Sequence, residues 1–144
     1  MKIVFVGDVH GHFKNLAKLQ EEIINPENPD FIIQLGDFGL GFPYDYKDPE
    51  PKNFVKNFLF IRGNHDNPET CKKSPNYLGD FGFNKELDIF FVSGAYSIDK
   101  KGRIPGISWW ENEELNYFQT NSCIDLYTKT KPRIVISHDC PLSI

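Results

Sequence analysis

The sequence predicts an α/β domain: a layered sheet with helices on its faces. Two patterns carry that expectation. Five short apolar runs, Ile3–Val6, Phe31–Leu35 (broken only by Gln34), Phe58–Ile61, Ile89–Val92 and Ile134–Ile136, are continuous rather than alternating, as in strands buried on both faces of a helix-covered sheet. The first two runs flank a segment in which Phe13, Leu16, Ala17, Leu19, Ile23 and Ile24 recur at three- and four-residue spacing, the apolar stripe of a helix. Strand, helix, strand predicts a right-handed parallel crossover.

The elements follow in order. Ile3–Val6 stops at Gly7-Asp8, well short of the roughly 7–15 apolar residues of a signal peptide, so the chain opens on a strand. The helix Phe13–Ile24 ends at Asn25-Pro26, because proline cannot continue the backbone ladder. Gly39 to Lys52, with Pro43, Pro49 and Pro51, reads as a loop, as does Asn67 to Phe83. Each follows a polar cluster and is placed to roof whatever those clusters form. A second helix is expected over Glu111–Phe118, with Ser108-Trp109-Trp110-Glu111 as its capping box.

Composition narrows the function. The 144 residues suit one domain, 1–144. A net charge of −4 lacks the basic footprint of a nucleic-acid binder. No apolar run approaches the ~18–20 residues of a membrane span. Cys71, Cys123 and Cys140 are odd in number and include no Cys-x-x-Cys pair, so no disulfide framework is expected. Together these predict a cytoplasmic protein. No Gly-x-x-x-x-Gly-Lys loop marks a nucleoside triphosphatase. The chain has only three arginines, Arg62, Arg103 and Arg133, so each stands out.

Four of the apolar runs end in metal-ligand chemistry: Gly7-Asp8-Val9-His10, Gly36-Asp37, Arg62-Gly63-Asn64-His65-Asp66, and Ser137-His138-Asp139. The run Ile89–Val92 ends instead at Ser93-Gly94. In open α/β sheets ligands bind beyond the carboxyl ends of the strands, so the four clusters converge on one rim. Asp8 and His10, two apart, share a side of an extended segment. Carboxylate with imidazole suits Mn, Fe, Ni or Zn. Any one cluster is ordinary, a turn or a surface histidine; four together point to a metal site.

The ordered set Asp8-x-His10, Gly36-Asp37, Gly63-Asn64-His65-Asp66 and His138 resembles the calcineurin-like metallophosphoesterases. The resemblance runs from residue 7 to 139, and its first and third motifs are highly specific. It implies two divalent metal ions, with Mn favoured. Asp8 and His10 bind the first, Asp37 bridges, and Asn64 and His138 bind the second. It implies His65 as the catalytic acid, with Asp66 orienting it, and a phosphomonoester or phosphodiester as substrate. The charges agree, since two divalent ions over Asp8 and Asp37 leave a cationic pocket in an acidic chain. Arg62 is a candidate phosphate contact or else a surface ion pair. His12 is a candidate for the substrate phosphate or else a surface residue at the helix start. Trp109-Trp110 lines a groove or packs the core.

Two departures from the family pattern bear on function. No Asp-Arg pair follows Gly36-Asp37, which distances the chain from the protein Ser/Thr phosphatase branch. The closing Gly-His-x-His is missing after His138, since Asp139–Ile144 contains no histidine. Each metal is then one protein ligand short, and the C-terminal strands of the sheet are missing. An open sheet edge is expected, with oligomerisation as one way to cover it. The alternatives to an enzyme are a weak or inactive relative that binds metal or partner, and a lobe needing a C-terminal piece.

Overall fold

The structure, a computed structural model, describes residues 1–51, 54 and 57–140. Lys52 of the expected loop and Pro141–Ile144 lie outside them. The described elements are β1 (Ile3–Val6), α1 (Phe13–Leu19), β2 (Phe31–Leu35), β3 (Phe58–Ile61), α2 (Pro68–Cys71), β4 (Phe81–Asn84), β5 (Ile89–Val92), α3 (Tyr117–Thr130) and β6 (Ile134–Ser137). The expected α/β layering holds, with two three-stranded sheets in place of one. β1, β2 and β3 are parallel in that order, with Ile3 opposite Phe31 and Ile32 opposite Phe58. In the second sheet β5 lies between β4, antiparallel to it, and β6, parallel to it.

The continuous apolar runs find the reason for their pattern here. On β2 and β3, Ile32, Phe58 and Phe60 face a core shared with Phe13 and Leu16 of α1. Ile33 and Ile61 face the opposite way, into a core shared with Ile89 and Phe91 of β5 and Ile136 of β6. The two sheets thus pack face to face. α1 covers the outer side of the first sheet, while α3 lies against the second, where Tyr127 meets Phe90 edge-on at 5.4 Å. No helix among the described residues is long and apolar enough to cross a membrane.

Two expected boundaries move. The first helix does reach Ile24, but only Phe13–Leu19 is α-helical; Gln20–Ile24 widens into a π turn and Asn25–Glu27 closes as a 3₁₀ turn. The second helix begins at Tyr117, not Glu111. The Ser108 hydroxyl is already spent, accepting the Ile104 N–H at 2.9 Å. The operative capping box is Asn116 with Gln119: each side chain accepts the other's backbone N–H, at 2.9 and 3.0 Å. The expected loop 67–83 also contains α2 and most of β4. Among the described residues β6 pairs with a strand on one side only, β5.

Gln34, the one polar residue in β2, is fully buried and folds back on Gly36, accepting its N–H at 3.0 Å. It shapes the turn that carries Asp37. Phe38, next along, plants that turn in the core, with ring contacts to Phe13, Phe54, Phe58 and Phe60 at 5.3–5.6 Å. Replacing Phe38 with alanine should cost about 3–5 kcal/mol in urea unfolding; a loss below about 1 kcal/mol would contradict this placement.

Candidate active site

The strand ends meet where expected, by a different backbone route. Asp8 and His10 do not lie on an extended segment. Their φ values are 31° and 47°, and that of Asp37 is 51°, in the left-handed region that non-glycine residues seldom occupy. The turns after β1 and β2 are zipped together: His10 N–H donates to Asp37 O at 2.8 Å and Gly11 N–H to Phe38 O at 2.9 Å. Left-handed backbone is thereby imposed on three neighbouring residues, a form of local strain that accumulates at functional sites.

Asp37 is the centre of the cluster. Its Oδ2 stands 3.6 Å from His10 Nε2, and its Oδ1 stands 3.2 Å from His138 Nε2 and accepts the His65 N–H at 2.8 Å. Asp8 Oδ1 lies 3.7 Å from His10 Nε2. Two compact ligand groups result, Asp8–Asp37–His138 and His10–Asp37–His65, and Asp37 belongs to both. Gly63 permits this approach, because a Cβ there would strike Asp37 Oδ1 and come within 2.7 Å of His138 Nε2. His138 Nδ1–H donates to Leu35 O at 2.9 Å, so its Nε2 is the nitrogen offered to the cluster; a carbonyl behind the ring is the usual support of a metal-binding histidine. Asn64 Nδ2 donates to Ser97 Oγ at 3.2 Å, which leaves Oδ1 as the amide's available ligand atom. This set of carboxylate, imidazole and amide oxygen donors, gathered around one carboxylate, could hold divalent metal ions.

A family model for calcineurin-like phosphoesterases matches residues 1–143. The chain belongs to that family. No curated protein matches it. The strand-end clusters just described, gathered on one rim, lie within the matched residues.

Several residues singled out in the sequence stand elsewhere. Arg62, a candidate phosphate contact or surface ion pair in the sequence, is 1% exposed. It pairs with Asp80 at 3.1 Å and donates to the carbonyls of Glu113 and Asn112 at 2.6 and 3.1 Å, so it pins the approach to α3 onto β3. The arginine on the rim is Arg103. It contacts His65 Nε2, pairs with Asp99 at 2.7 Å and donates to Asn64 O at 3.0 Å. Asp66 does not orient His65. Fully buried, it accepts four backbone N–H groups, from Gly63, Phe38, Gly39 and Leu40, at 2.7–3.1 Å, and so ties the turn after β3 to the turn after β2. His12 is exposed and stacks on Tyr46 at 4.7 Å, outside both ligand groups. Trp110 is buried and meets Phe42 at 6.1 Å.

What holds the His65 ring comes from the loop after β2. Phe42 stacks on it at 4.7 Å, nearly parallel, and Tyr44 Oη lies 2.6 Å from its Nδ1. The same Oη lies 2.6 Å from His10 Nδ1. The sequence marks that loop as a roof over the rim but does not distinguish Tyr44 within it. The scarcity of arginine does mark Arg103. Beside the cluster, Asn64, His65, Tyr96, Asp99, Arg103 and His138 line an open cleft of about 410 Å³.

Charge follows geometry. Burial disfavours the charged form of both members of the Asp37–His138 pair, yet the hydrogen bond and opposite charge between them prevail. Asp37 is held below the ordinary carboxylate range, and His138 is raised to about 9. Burial, with Arg103 and His10 nearby and against the pull of Asp37, lowers His65 below the usual histidine value. Burial also pushes the Tyr44 phenol up.

Two outcomes follow. Asp66→Asn should lower stability by about 2–4 kcal/mol in urea unfolding, since two of the four N–H donors then face an amide that cannot accept them. An unchanged stability with lost activity would restore a role on His65. In the metal-free chain near pH 7, His138 carries its extra proton on Nε2, and a metal needs that nitrogen bare. Metal uptake should then release about one proton, and affinity should rise as the pH climbs toward about 9. Titration calorimetry in two buffers of different ionisation enthalpy reads the proton count; no release would contradict His138 as a ligand.

Proposed function

We propose that this chain hydrolyses phosphate esters, mono- or diesters, at a two-metal site. Asp8, His10 and Asp37 hold one divalent ion, while Asp37, Asn64 and His138 hold the other. The observation that carries this reading is the Asp37 carboxylate, which turns Oδ2 to His10 and Oδ1 to His138. Asp8, which also groups with Asp37 and His138, is given to the first ion because its Oδ1 lies 3.7 Å from His10 Nε2. His65 is left out of the ligand set because both its nitrogens are engaged, Nδ1 by Tyr44 and Nε2 by Arg103. Mn²⁺ is favoured among the divalent ions that carboxylate and imidazole together accept, Mn, Fe, Ni or Zn. When bound, two such ions supply positive charge for the phosphoryl oxygens and acidify the attacking water.

The chain's own residues do the rest. Asn64, its amide turned by Ser97, places Oδ1 in the second ligand set. His65 gives a proton to the departing alkoxide, held in plane by the face of Phe42. Arg103 supplies the cationic edge of the cleft, and its pairing with Asp99 fixes the guanidinium. The alcohol portion of the ester lies in the cleft against Tyr96, half exposed at its mouth.

Turnover of aryl phosphate mono- and diesters with added Mn²⁺ tests the proposal. Wild type should exceed His65→Asn by about 10²–10⁴-fold, the usual worth of a positioned acid, and Asp37→Asn should abolish both turnover and metal uptake. Equal rates for wild type and His65→Asn across Mn²⁺, Zn²⁺ and Ni²⁺ would overturn the enzymatic reading and leave a metal-binding relative.

A further inference from the structure

We propose that Tyr44 is a positioning residue that couples the metal-ligand end of His10 to His65 and decides which nitrogen of His65 carries its proton. The proposal rests on the reading of His10 Nε2 as a metal ligand. It starts from one hydroxyl that stands 2.6 Å from Nδ1 of both rings. A phenol has a single proton to donate, so it donates to one ring and accepts from the other.

The surrounding contacts fix the direction in the metal-free chain. A guanidinium has only donors, so the Arg103 contact requires His65 Nε2 to be bare. The one proton of a neutral His65 then sits on Nδ1 and is donated to Tyr44 Oη. Tyr44 in turn donates to His10 Nδ1, and the proton of a neutral His10 sits on Nε2, 3.7 Å from Asp8 Oδ1 and 3.6 Å from Asp37 Oδ2. The contacts Arg103–His65–Tyr44–His10 are all satisfied with this single polarity, and the His10 Nε2–H faces the two carboxylates.

Giving His10 Nε2 to a metal reverses all of it. The His10 ring must then hold its proton on Nδ1, which it takes from Tyr44. Tyr44 takes the Nδ1 proton of His65, and its O–H now points to that nitrogen. His65 acquires a proton at Nε2 from solvent as His10 releases one from its own Nε2. Each imidazole and the phenol keep one exchangeable proton throughout, and no group changes charge. The Arg103 N–H can no longer face Nε2, but the guanidinium keeps Asp99 and the carbonyls of Asn64 and Ser108 as partners. His65 Nε2–H is left facing the cleft it lines with Asn64 and His138. The proton needed by a leaving alkoxide is thus displayed only when His10 is engaged, and the metal-free chain masks it.

The experiment is two-bond ¹H–¹⁵N correlation NMR of histidine-labelled protein, which separates the Nδ1–H and Nε2–H tautomers, recorded without metal and with saturating diamagnetic Zn²⁺. Zn²⁺ uptake is followed separately by calorimetry. In wild type His65 should change from mainly Nδ1–H to mainly Nε2–H on Zn²⁺ addition. In Tyr44→Phe, Zn²⁺ should still bind while His65 stays Nδ1–H, held by Arg103. Zn²⁺ uptake with an unchanged His65 tautomer in wild type, or an equal change in Tyr44→Phe, overturns the coupling and leaves the metal site intact. Absence of Zn²⁺ uptake by wild type overturns both readings. Where Tyr44→Phe fails to fold, the wild-type comparison still overturns the coupling if the tautomer is unchanged. The result expected of wild type is then a scalar coupling across the Tyr44 Oη–His65 Nδ1 hydrogen bond, with the shared proton on Tyr44 only when Zn²⁺ is bound.

Discussion

The carboxylate of Asp37 is the joint on which the two sheets and the site both turn. It rises from the end of β2 in the first sheet and meets His138 from the end of β6 in the second, 3.2 Å away, while its other oxygen faces His10 from the end of β1. An exposed like-charge neighbour, Asp8, completes the group. Burying the Asp37 carboxylate with a second carboxylate beside it is costly unless positive charge is supplied. Without metal, that charge comes from a proton borrowed by His138, which explains its high affinity for it. A divalent ion is a stronger substitute for the same proton, so the pair that stabilises the empty cluster also prepares it for exchange.

The surrounding structure serves to hold this joint. Left-handed backbone at Asp8, His10 and Asp37 costs about 1–3 kcal/mol per residue, and it persists because the adjacent turns leave no alternative. Phe38 anchors one turn in an aromatic core, and Asp66 gathers the N–H groups of two turns onto one buried carboxylate. Arg62 does similar work further out, through carbonyls and Asp80. The conspicuous titratable groups of the third motif thus divide into those that shape backbone, Arg62 and Asp66, and the one that faces the cleft, His65.

Strand positions were legible because the runs are continuously apolar, through burial on both faces in β2, β3 and β5 though not in β1 and β6, where Phe5 and Val135 are exposed. The rim was legible because four such runs stop at ligand-type residues. The partition into two sheets was not. β4 carries Gly82, which packs under the Phe91 ring where a Cβ would lie 2.7 Å from Cζ, and a glycine inside a four-residue strand reads as loop. The second helix was misplaced because Ser108 and Asn116 both head plausible capping boxes, and only the Ile104 N–H shows that Ser108 is taken. Side-chain roles were the least legible. Whether Asp66 meets a ring or four N–H groups, and whether Arg62 or Arg103 reaches the cleft, depends on partners tens of residues away that no local spacing encodes.

The central claim is that Asp37 is a shared ligand between two ions. Crystals grown with Mn²⁺ and measured for anomalous scattering test it most directly. Two peaks about 3.5–4 Å apart, one on the Asp8–His10 side of Asp37 and one on the Asn64–His138 side, are the predicted result. A single peak, or ions placed away from Asp37, would contradict it.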